Sequence, residues 1–487
     1  MDTDSSGSID EFELHSAIRM LGIKVSDNSA KKCLKLVDAD SNGTIEWPEF
    51  KAFFGKVNDA EGIKCLLSSS NQRFFEYKQQ VETDASFAKT FAIPPYGPKP
   101  KLLNTYHHDQ IEEVVWLSDT LLATGSLDGE VKIWDRTNLG GMIPKPMKSF
   151  KADSSLYTMA ASSDGARVVT GLEDGKIVEW SVADGVATTI YRGHDAAVYS
   201  SKFRPDDAYF ASGNKVGHIC QHDVNVAEPV LSWKAHEGIV NSVDYEKSAG
   251  QLLCTASSDS TVKVFDMRLV GEDSTGMVVE IEDAAASEKV FRALWRNERE
   301  IVSCGDDYCV KRWDLRNLRD GPVCSYFGHV SPIRALELSP CGRFIVTGTT
   351  TGSVRLWLVD EQGLVSEKLA AAQKIHEEGI GRRDEVVNKC QNGEAFEMTE
   401  LKSLSAEAEK SQVELDRLKK IKSNHDSMHY TQATIALESP SMSISSVAWR
   451  DLPDGTSCLA YGAYDQKVRL FNFKADAYYV VKTPKEK

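Results

Sequence analysis

One phrase recurs seven times along this chain, and it limits the possible folds more than any other feature. It reads LLATGSLDGEVKIWD at 121–135, RVVTGLEDGKIVEWS at 167–181, YFASGNKVGHICQHD at 209–223, LLCTASSDSTVKVFD at 252–266, EIVSCGDDYCVKRWD at 300–314, FIVTGTTTGSVRLWL at 344–358 and CLAYGAYDQKVRLFN at 458–472. Each copy is an apolar run, a small-residue turn and a run that alternates apolar with polar, the pattern of a two-stranded hairpin. Trp134, Trp180, His222, Phe265, Trp313 and Trp357 follow one another at steps of 46, 42, 43, 48 and 44 residues, and Phe471 comes 114 later. A period of this length predicts stacked units that share a core. Seven of them close a ring, and closure hides the edge strands that an open sheet exposes.

Within the phrase, Asp stands six residues before the closing position in five copies (Asp128, Asp174, Asp259, Asp307, Asp465). A hydroxyl stands ten before it in six: Thr124, Thr170, Ser212, Thr255, Ser303 and Thr347. The histidines His108, His194, His236 and His329 precede four copies, two of them as Gly-His pairs. These features resemble the WD-repeat family, which implies four-stranded propeller blades and a hydrogen-bonded set of His, Ser/Thr, Asp and Trp inside each blade. The third copy has Val216 and His222 in place of Asp and Trp, so blade three is expected to be the loosest. Residues 101–106 are expected to supply the outer strand of blade seven, with 477–482 as the alternative.

The chain opens with DTDSSGSIDEFE at 2–13, and DADSNGTIEWPE stands at 38–49. The first places Asp2, Asp4, Ser6, Ser8 (through its carbonyl), Asp10 and Glu13 at loop positions 1, 3, 5, 7, 9 and 12; the second places Asp38, Asp40, Asn42, Thr44, Glu46 and Glu49 there. Gly7 and Gly43 take position 6. A hard cation needs six to eight oxygens, so a tight loop must turn alternate residues inward and end on a bidentate carboxylate. Both stretches resemble the EF-hand family of the calmodulin and centrin type, which implies Ca2+ as the bound ion. Ile9 and Ile45, at position 8 of each loop, are expected to pair as a short β-bridge. Residues 30–37 read as the helix entering the second loop, whereas the first loop begins directly after Met1, which makes the second the better site.

The predicted organisation is an all-α EF-hand pair at 1–57, a linker at 58–100 with a helix over 71–81 and a proline-rich end, and an all-β seven-bladed propeller at 101–482. A partly helical insertion is expected at 365–434, between blades six and seven. Within it, 398–422 reads as an amphipathic helix or short coiled coil, and the glycine-containing 376–394 as an exposed loop.

Acidic residues outnumber basic ones by 72 to 57, for a net charge of -15, the wrong sign for tracking a phosphate backbone. The ten cysteines form no CxxC pair, and no window carries eighteen consecutive apolar residues. These features predict free thiols in a reducing compartment, no membrane span and a cytoplasmic address. GxxxxGK[ST], GxSxG and HExxH are all absent from the sequence, so no enzyme is predicted.

The reading that follows is a calcium-responsive scaffold. It meets other proteins or peptides through the propeller faces and through an EF-hand groove lined by Phe12, Ile18, Phe50 and Phe53, in a cytoskeletal or ciliary assembly. A second reading rests on Phe265-Asp266-Met267-Arg268 and Trp313-Asp314-Leu315-Arg316. These resemble WDxR boxes, which implies a substrate receptor that docks on a cullin-type ubiquitin ligase through Arg268 and Arg316.

Overall fold

The computed structural model describes residues 100–138, 145–271, 274–282, 284–285, 288–319, 321–359, 435–437 and 442–473, together with 8–9, 44–46, 78, 80–83, 373–374, 376–377, 380–382, 412 and 416. The chain divides into two compact units, one of residues 1–357 and 432–487 and one of residues 358–431.

In the first unit, each recurring phrase becomes the middle hairpin of a four-stranded antiparallel blade, and there are seven blades. Their innermost strands are Ile111–Trp116, Leu156–Ala161, Val198–Phe203, Val240–Tyr245, Val290–Asn297, Ile333–Leu338 and Ile444–Asp451. The alternation read from the sequence is realised on both faces, because every blade is covered by its neighbours, and the inner hairpins are buried almost throughout. Small residues set how closely the blades approach: a Cβ placed on Gly213 would stand 2.5 Å from Val240, the first residue of the next blade. Gly217 closes its hairpin at φ 91°, where a Cβ would meet the His236 carbonyl at 1.9 Å.

Strand Lys101–Asn104 pairs with Lys467–Phe473, Leu103 opposite Val468, so the segment before blade one completes blade seven. The ring is thus closed by chain from both ends of the propeller. Leu103, 1% exposed, packs in one core cluster with Ile111, Val114 and Trp134 of blade one and Val468 and Leu470 of blade seven. Its burial contributes about 2 kcal/mol to closure.

The insertion enters at a different point from the one expected. Blade six is completed by Ile435–Leu437 pairing with Val354–Leu358, so the inserted chain leaves after the third strand of blade six and returns as its fourth. A three-residue outer strand with no turn signal leaves little trace in the sequence, which by itself points to a break between blades. The inserted residues belong to the second unit. There His376, Glu377 and 380–382 are helical, where an exposed loop was expected. Gln412 and Asp416 are helical as expected, and Gln412 Nε2 donates to Asp416 Oδ1 at 2.8 Å, an i,i+4 pair along one helix face.

Candidate functional site

At the N-terminal end, Ser8–Ile9 pairs antiparallel with Ile45–Glu46, Ile9 opposite Ile45 and Ser8 opposite Glu46. Position 8 of one acidic loop therefore faces position 8 of the other, the bridge expected from the spacing. Ile45 is buried. This register, with an all-oxygen donor set at the alternate positions, fits a hard divalent cation. Ser8, Thr44 and Glu46 lie on or beside the bridge. Asp2, Asp4, Ser6, Asp10, Glu13, Asp38, Asp40, Asn42 and Glu49 lie outside the described residues, as do Phe12, Ile18, Phe50 and Phe53.

The linker that follows touches the propeller. Lys78 and 80–83 are helical, within and just past the predicted stretch, and Val81 is buried. Glu82 Oε1 accepts a hydrogen bond from the Tyr308 hydroxyl at 2.8 Å, and Lys78 Nζ lies 3.3 Å from Glu288 and 5.2 Å from the centre of the Tyr308 ring. Burial, reinforced by the Glu82 carboxylate, pushes the Tyr308 phenol up. Tyr308 occupies the turn of blade five at φ 66°, the position filled by Gly129, Gly175, Gly217 and Gly352 in four other blades. The sequence held this signal: an aromatic residue stands in a turn slot that glycine fills in four blades and Ser260 and Gln466 fill in two.

The innermost strands line an axial channel filled with side chains of both signs. Arg292 Nη2 lies 3.1 Å from Glu113 Oε2, and Lys202 Nζ 3.4 Å from Asp244 Oδ1. The Asp244 carboxylate holds the Lys202 ammonium up, and burial raises the Glu337 carboxyl. Above this plug opens a cavity of about 260 Å³ lined by Glu112, Tyr157, Tyr199, Phe291, Arg334 and Tyr464 among others. Tyr157 and Tyr199 stack at 4.7 Å, and the Arg334 guanidinium sits over Phe291 and Tyr464 at 5.4 and 6.0 Å. Arg334 Nη1 donates to the Tyr464 hydroxyl at 3.0 Å. Burial outweighs the attraction of Arg334 and raises the Glu112 carboxyl to about 7. Glu112, Tyr157, Tyr199, Phe291 and Arg334 sit on the innermost strands, outside the repeated phrase, so the repeat did not point to them; Tyr464 lies in the hairpin turn of the seventh copy.

The hydrogen-bonded sets inside the blades carry over in part. Blade one is complete: His107 Nδ1 lies 3.0 Å from Asp128 Oδ2, and Thr124 Oγ1 meets His107 Nε2 at 2.9 Å and Trp134 Nε1 at 3.0 Å. The histidine is His107 and not His108, because the strand ends at Asn104, two residues before the expected end at 106, and Tyr106 takes a positive φ of 53°. His108 contributes only its backbone N–H to Asp128. Burial opposes ionisation of Asp128, but the His107 ring and the N–H groups of His108 and Glu130 hold its carboxyl well below the usual range. Blade four repeats the arrangement with His236, Asp259 and Thr255, closed by Phe265.

Blade three replaces the missing Asp and Trp contacts with others. His222 is fully buried, stacks on Phe210 at 4.7 Å and meets Ser212 Oγ at 3.2 Å, and His194 Nε2 meets the same Oγ at 2.8 Å. Asn214 Oδ1 accepts from the N–H groups of Val216 and His218 and so closes the turn in place of the missing Asp. Burial lowers His194 to about 4 and His222 to about 3, and raises the Cys220 thiol to about 11.

Arg268 and Arg316 each fold back on the aspartate two residues earlier. Nε and Nη2 of Arg268 meet Asp266 at 2.9 and 2.5 Å, and those of Arg316 meet Asp314 at the same distances. The Arg316 bonds hold the Asp314 carboxyl down at about 2. Both arginine side chains remain largely exposed.

Comparison with known proteins agrees with this geometry. The EF-hand domain pair model matches residues 1–55, and the WD domain, G-beta repeat model matches 100–135, 144–181, 185–220, 227–266 and 321–357. Human striatin-4 is 23% identical over 348 residues, covering 66% of this chain and 43% of that protein. The U3 small nucleolar RNA-associated protein 15 homolog of Gallus gallus is 27% identical over 215 residues, covering 44% of this chain and 39% of its own. The chain thus spans less than half the length of these two relatives. Protein sof1 of Schizosaccharomyces pombe is 22% identical over 293 residues, covering 59% of this chain and 63% of its own. Among solved structures, the WD40 propeller domain of Doa1 superposes with a TM-score of 0.54 at 17% identity, over 79% of this chain and 99% of that one, a likeness of fold alone. No helix among the described residues is long and apolar enough to cross a membrane. Seven four-stranded blades built on the repeated phrase, with the matched repeats and the matched loop pair, place this chain in the WD-repeat β-propeller family, with an EF-hand pair at its N-terminal end.

Proposed function

We propose that this protein is a calcium-responsive scaffold that holds partner proteins on its propeller and adjusts that hold through the N-terminal loop pair. The observation that carries the reading is the tie between the segment following the loops and blade five: Glu82 to Tyr308 and Lys78 to Glu288. A change of shape in the lobe reaches the propeller through that tie. The residues to hold Ca2+ are Asp2, Asp4, Ser6, Ser8, Asp10 and Glu13 in the first loop and Asp38, Asp40, Asn42, Thr44, Glu46 and Glu49 in the second. Calcium, when bound, supplies the charge that draws these oxygens inward, and opening of the lobe bares an apolar groove at Phe12, Ile18, Phe50 and Phe53 for a peptide. On the propeller, the cavity lined by Tyr157, Tyr199, Phe291, Arg334 and Tyr464 is the place to seat a side chain of a partner.

The partners are proteins or peptides, and we place the assembly in the cytoplasm, on cytoskeletal or ciliary structures. Co-sedimentation with microtubules or axonemes tests that setting, and failure to sediment with or without calcium removes it. Calorimetric titration of Ca2+ into the wild-type chain and into Glu49→Gln tests the ion. Binding at about 10⁻⁷ to 10⁻⁵ M, with the second-loop site lost in the variant, is expected. Heats equal to dilution in both chains would overturn the calcium half and leave the propeller scaffold standing.

A further inference from the structure

Blade three differs from its neighbours where its third strand passes the Gly193-His194 turn. In blades one, four and five a lysine stands two residues before the closing ring and reaches a backbone carbonyl: Lys132 to Tyr106 at 2.7 Å, Lys263 to Ala235 at 3.1 Å, Lys311 to Ala284 at 2.9 Å. Blade three has Cys220 there, its sulfur 3.6 Å from the Gly193 carbonyl, 3.4 Å from Ser232 Oγ and 3.8 Å from His194 Nδ1. Two residues on, His222 replaces the closing ring, and its Nδ1 is buried without a hydrogen-bond partner. One ligand atom each from His194, Cys220 and His222 lies within 4.8 Å of the other two. A cation present in three other blades is thus exchanged for a thiol between two imidazoles.

We propose that His194, Cys220 and His222 form a binding site for a borderline-soft transition-metal ion, Zn2+ foremost. Two imidazoles and a thiolate make an N₂S donor set, which selects zinc over the hard calcium ion that an all-oxygen loop takes. A sulfur–nitrogen separation of 3.8 Å lies within a few tenths of an ångström of the roughly 3.5 Å between two adjacent ligands of a tetrahedral ion, whose bonds are about 2.3 and 2.0 Å. Ser212 Oγ touches Nε2 of both histidines and orients the two rings. With His194 Nε2 as donor to that oxygen, the Nδ1 lone pair faces the sulfur. Three protein ligands leave the fourth position to water or to a donor from a partner. Binding displaces the thiol proton of Cys220 to solvent, one proton for each ion held. Nothing in this site depends on the EF-hand loops.

The test titrates Co2+, as a spectroscopic stand-in for zinc, into the full chain with Ca2+ saturating. The expected result is one equivalent of tetrahedral cobalt with a thiolate charge-transfer band, bleached by Zn2+ and accompanied by release of one proton. The band is lost in Cys220→Ser and the affinity falls at least about tenfold in His194→Gln. Circular dichroism melting of both variants checks that they fold, and zinc is expected to raise the melting temperature of the wild type alone. Absence of the band in the folded wild-type chain would overturn the proposal. So would a band that survives in Cys220→Ser, since another thiol would then be the ligand.

Discussion

The Tyr308 hydroxyl donates to Glu82 Oε1 at 2.8 Å from a residue whose backbone stands at φ 66°. A bulky side chain there costs about 1 kcal/mol relative to glycine, and four other blades avoid the cost with glycine in that turn. Tyr308 is kept at this position by what its ring and hydroxyl touch: Glu82 and Lys78 of the linker. Tyr308→Phe removes one partly buried hydrogen bond, and amide exchange in 78–83 is expected to quicken by a factor corresponding to about 1 kcal/mol. Tyr308→Gly releases the linker further and leaves the propeller's own melting temperature unchanged or slightly raised.

Thr124 and Thr170 hold the same place in successive blades but serve different numbers of partners. Thr124 Oγ1 meets Trp134 Nε1 and His107 Nε2, whereas Thr170 Oγ1 meets only an indole, Trp180 Nε1, among the described ring partners. Replacing the hydroxyl by a methyl strands each partner, at about 1–3 kcal/mol per buried group. Urea denaturation is therefore expected to show Thr124→Val destabilised by about 2–6 kcal/mol and Thr170→Val by about half that. Equal losses would mean that the histidine adds nothing.

Acid stability carries the signature of blade three. His194 and His222 lie at about 4 and about 3 in the fold, below the ordinary histidine value of 6.5. Both are neutral in the native state and take up protons on unfolding. Their contribution is fully present above pH 6.5 and is lost as the pH falls from there through the folded values. Glu112, raised to about 7 from 4.5, acts in the opposite sense, losing its contribution as the pH rises through that interval. His222→Phe removes one of the two histidine contributions, so its stability between pH 6 and 4 should fall less steeply than the wild type's, by about 1.4 kcal/mol per pH unit. Parallel curves would contradict the assignment.

Arg268 and Arg316 are each tied to the aspartate two residues earlier and are largely exposed. Charge reversal to Glu at both is expected to leave the melting temperature and the bound partners unchanged. Loss of binding to a cullin-ligase adaptor in a folded variant would favour the receptor reading.

Much of this architecture was legible in advance because propeller blades repeat a two-residue alternation and a ring leaves few ways to place seven hairpins. The Ile9–Ile45 bridge and the closure of blade seven by 101–104 followed from loop numbering and from the need to pair an edge. What escaped was set by contacts between distant segments. The fourth strand of blade six is three residues long and lies beyond the insertion, so no local pattern marks it. His107 rather than His108 depends on one positive φ at Tyr106. His222 stands where a tryptophan is expected, yet it stacks on Phe210 and meets the Ser212 hydroxyl through Nε2, both residues of the same sheet, while its Nδ1 stays unpaired. Glu112, Arg334 and Tyr464 gather at the channel mouth from blades one, six and seven, a meeting that only the closed ring creates.

The central claim is that calcium at the N-terminal loops is felt on the propeller through the linker. Hydrogen–deuterium exchange of the full chain with and without calcium measures this directly, with the peptides covering 78–83 and the Tyr308 turn as reporters and blade two as the internal reference. The account expects protection at both reporters to change together on adding calcium, with blade two unaffected. Calcium binding seen by calorimetry with no change at either reporter would contradict it.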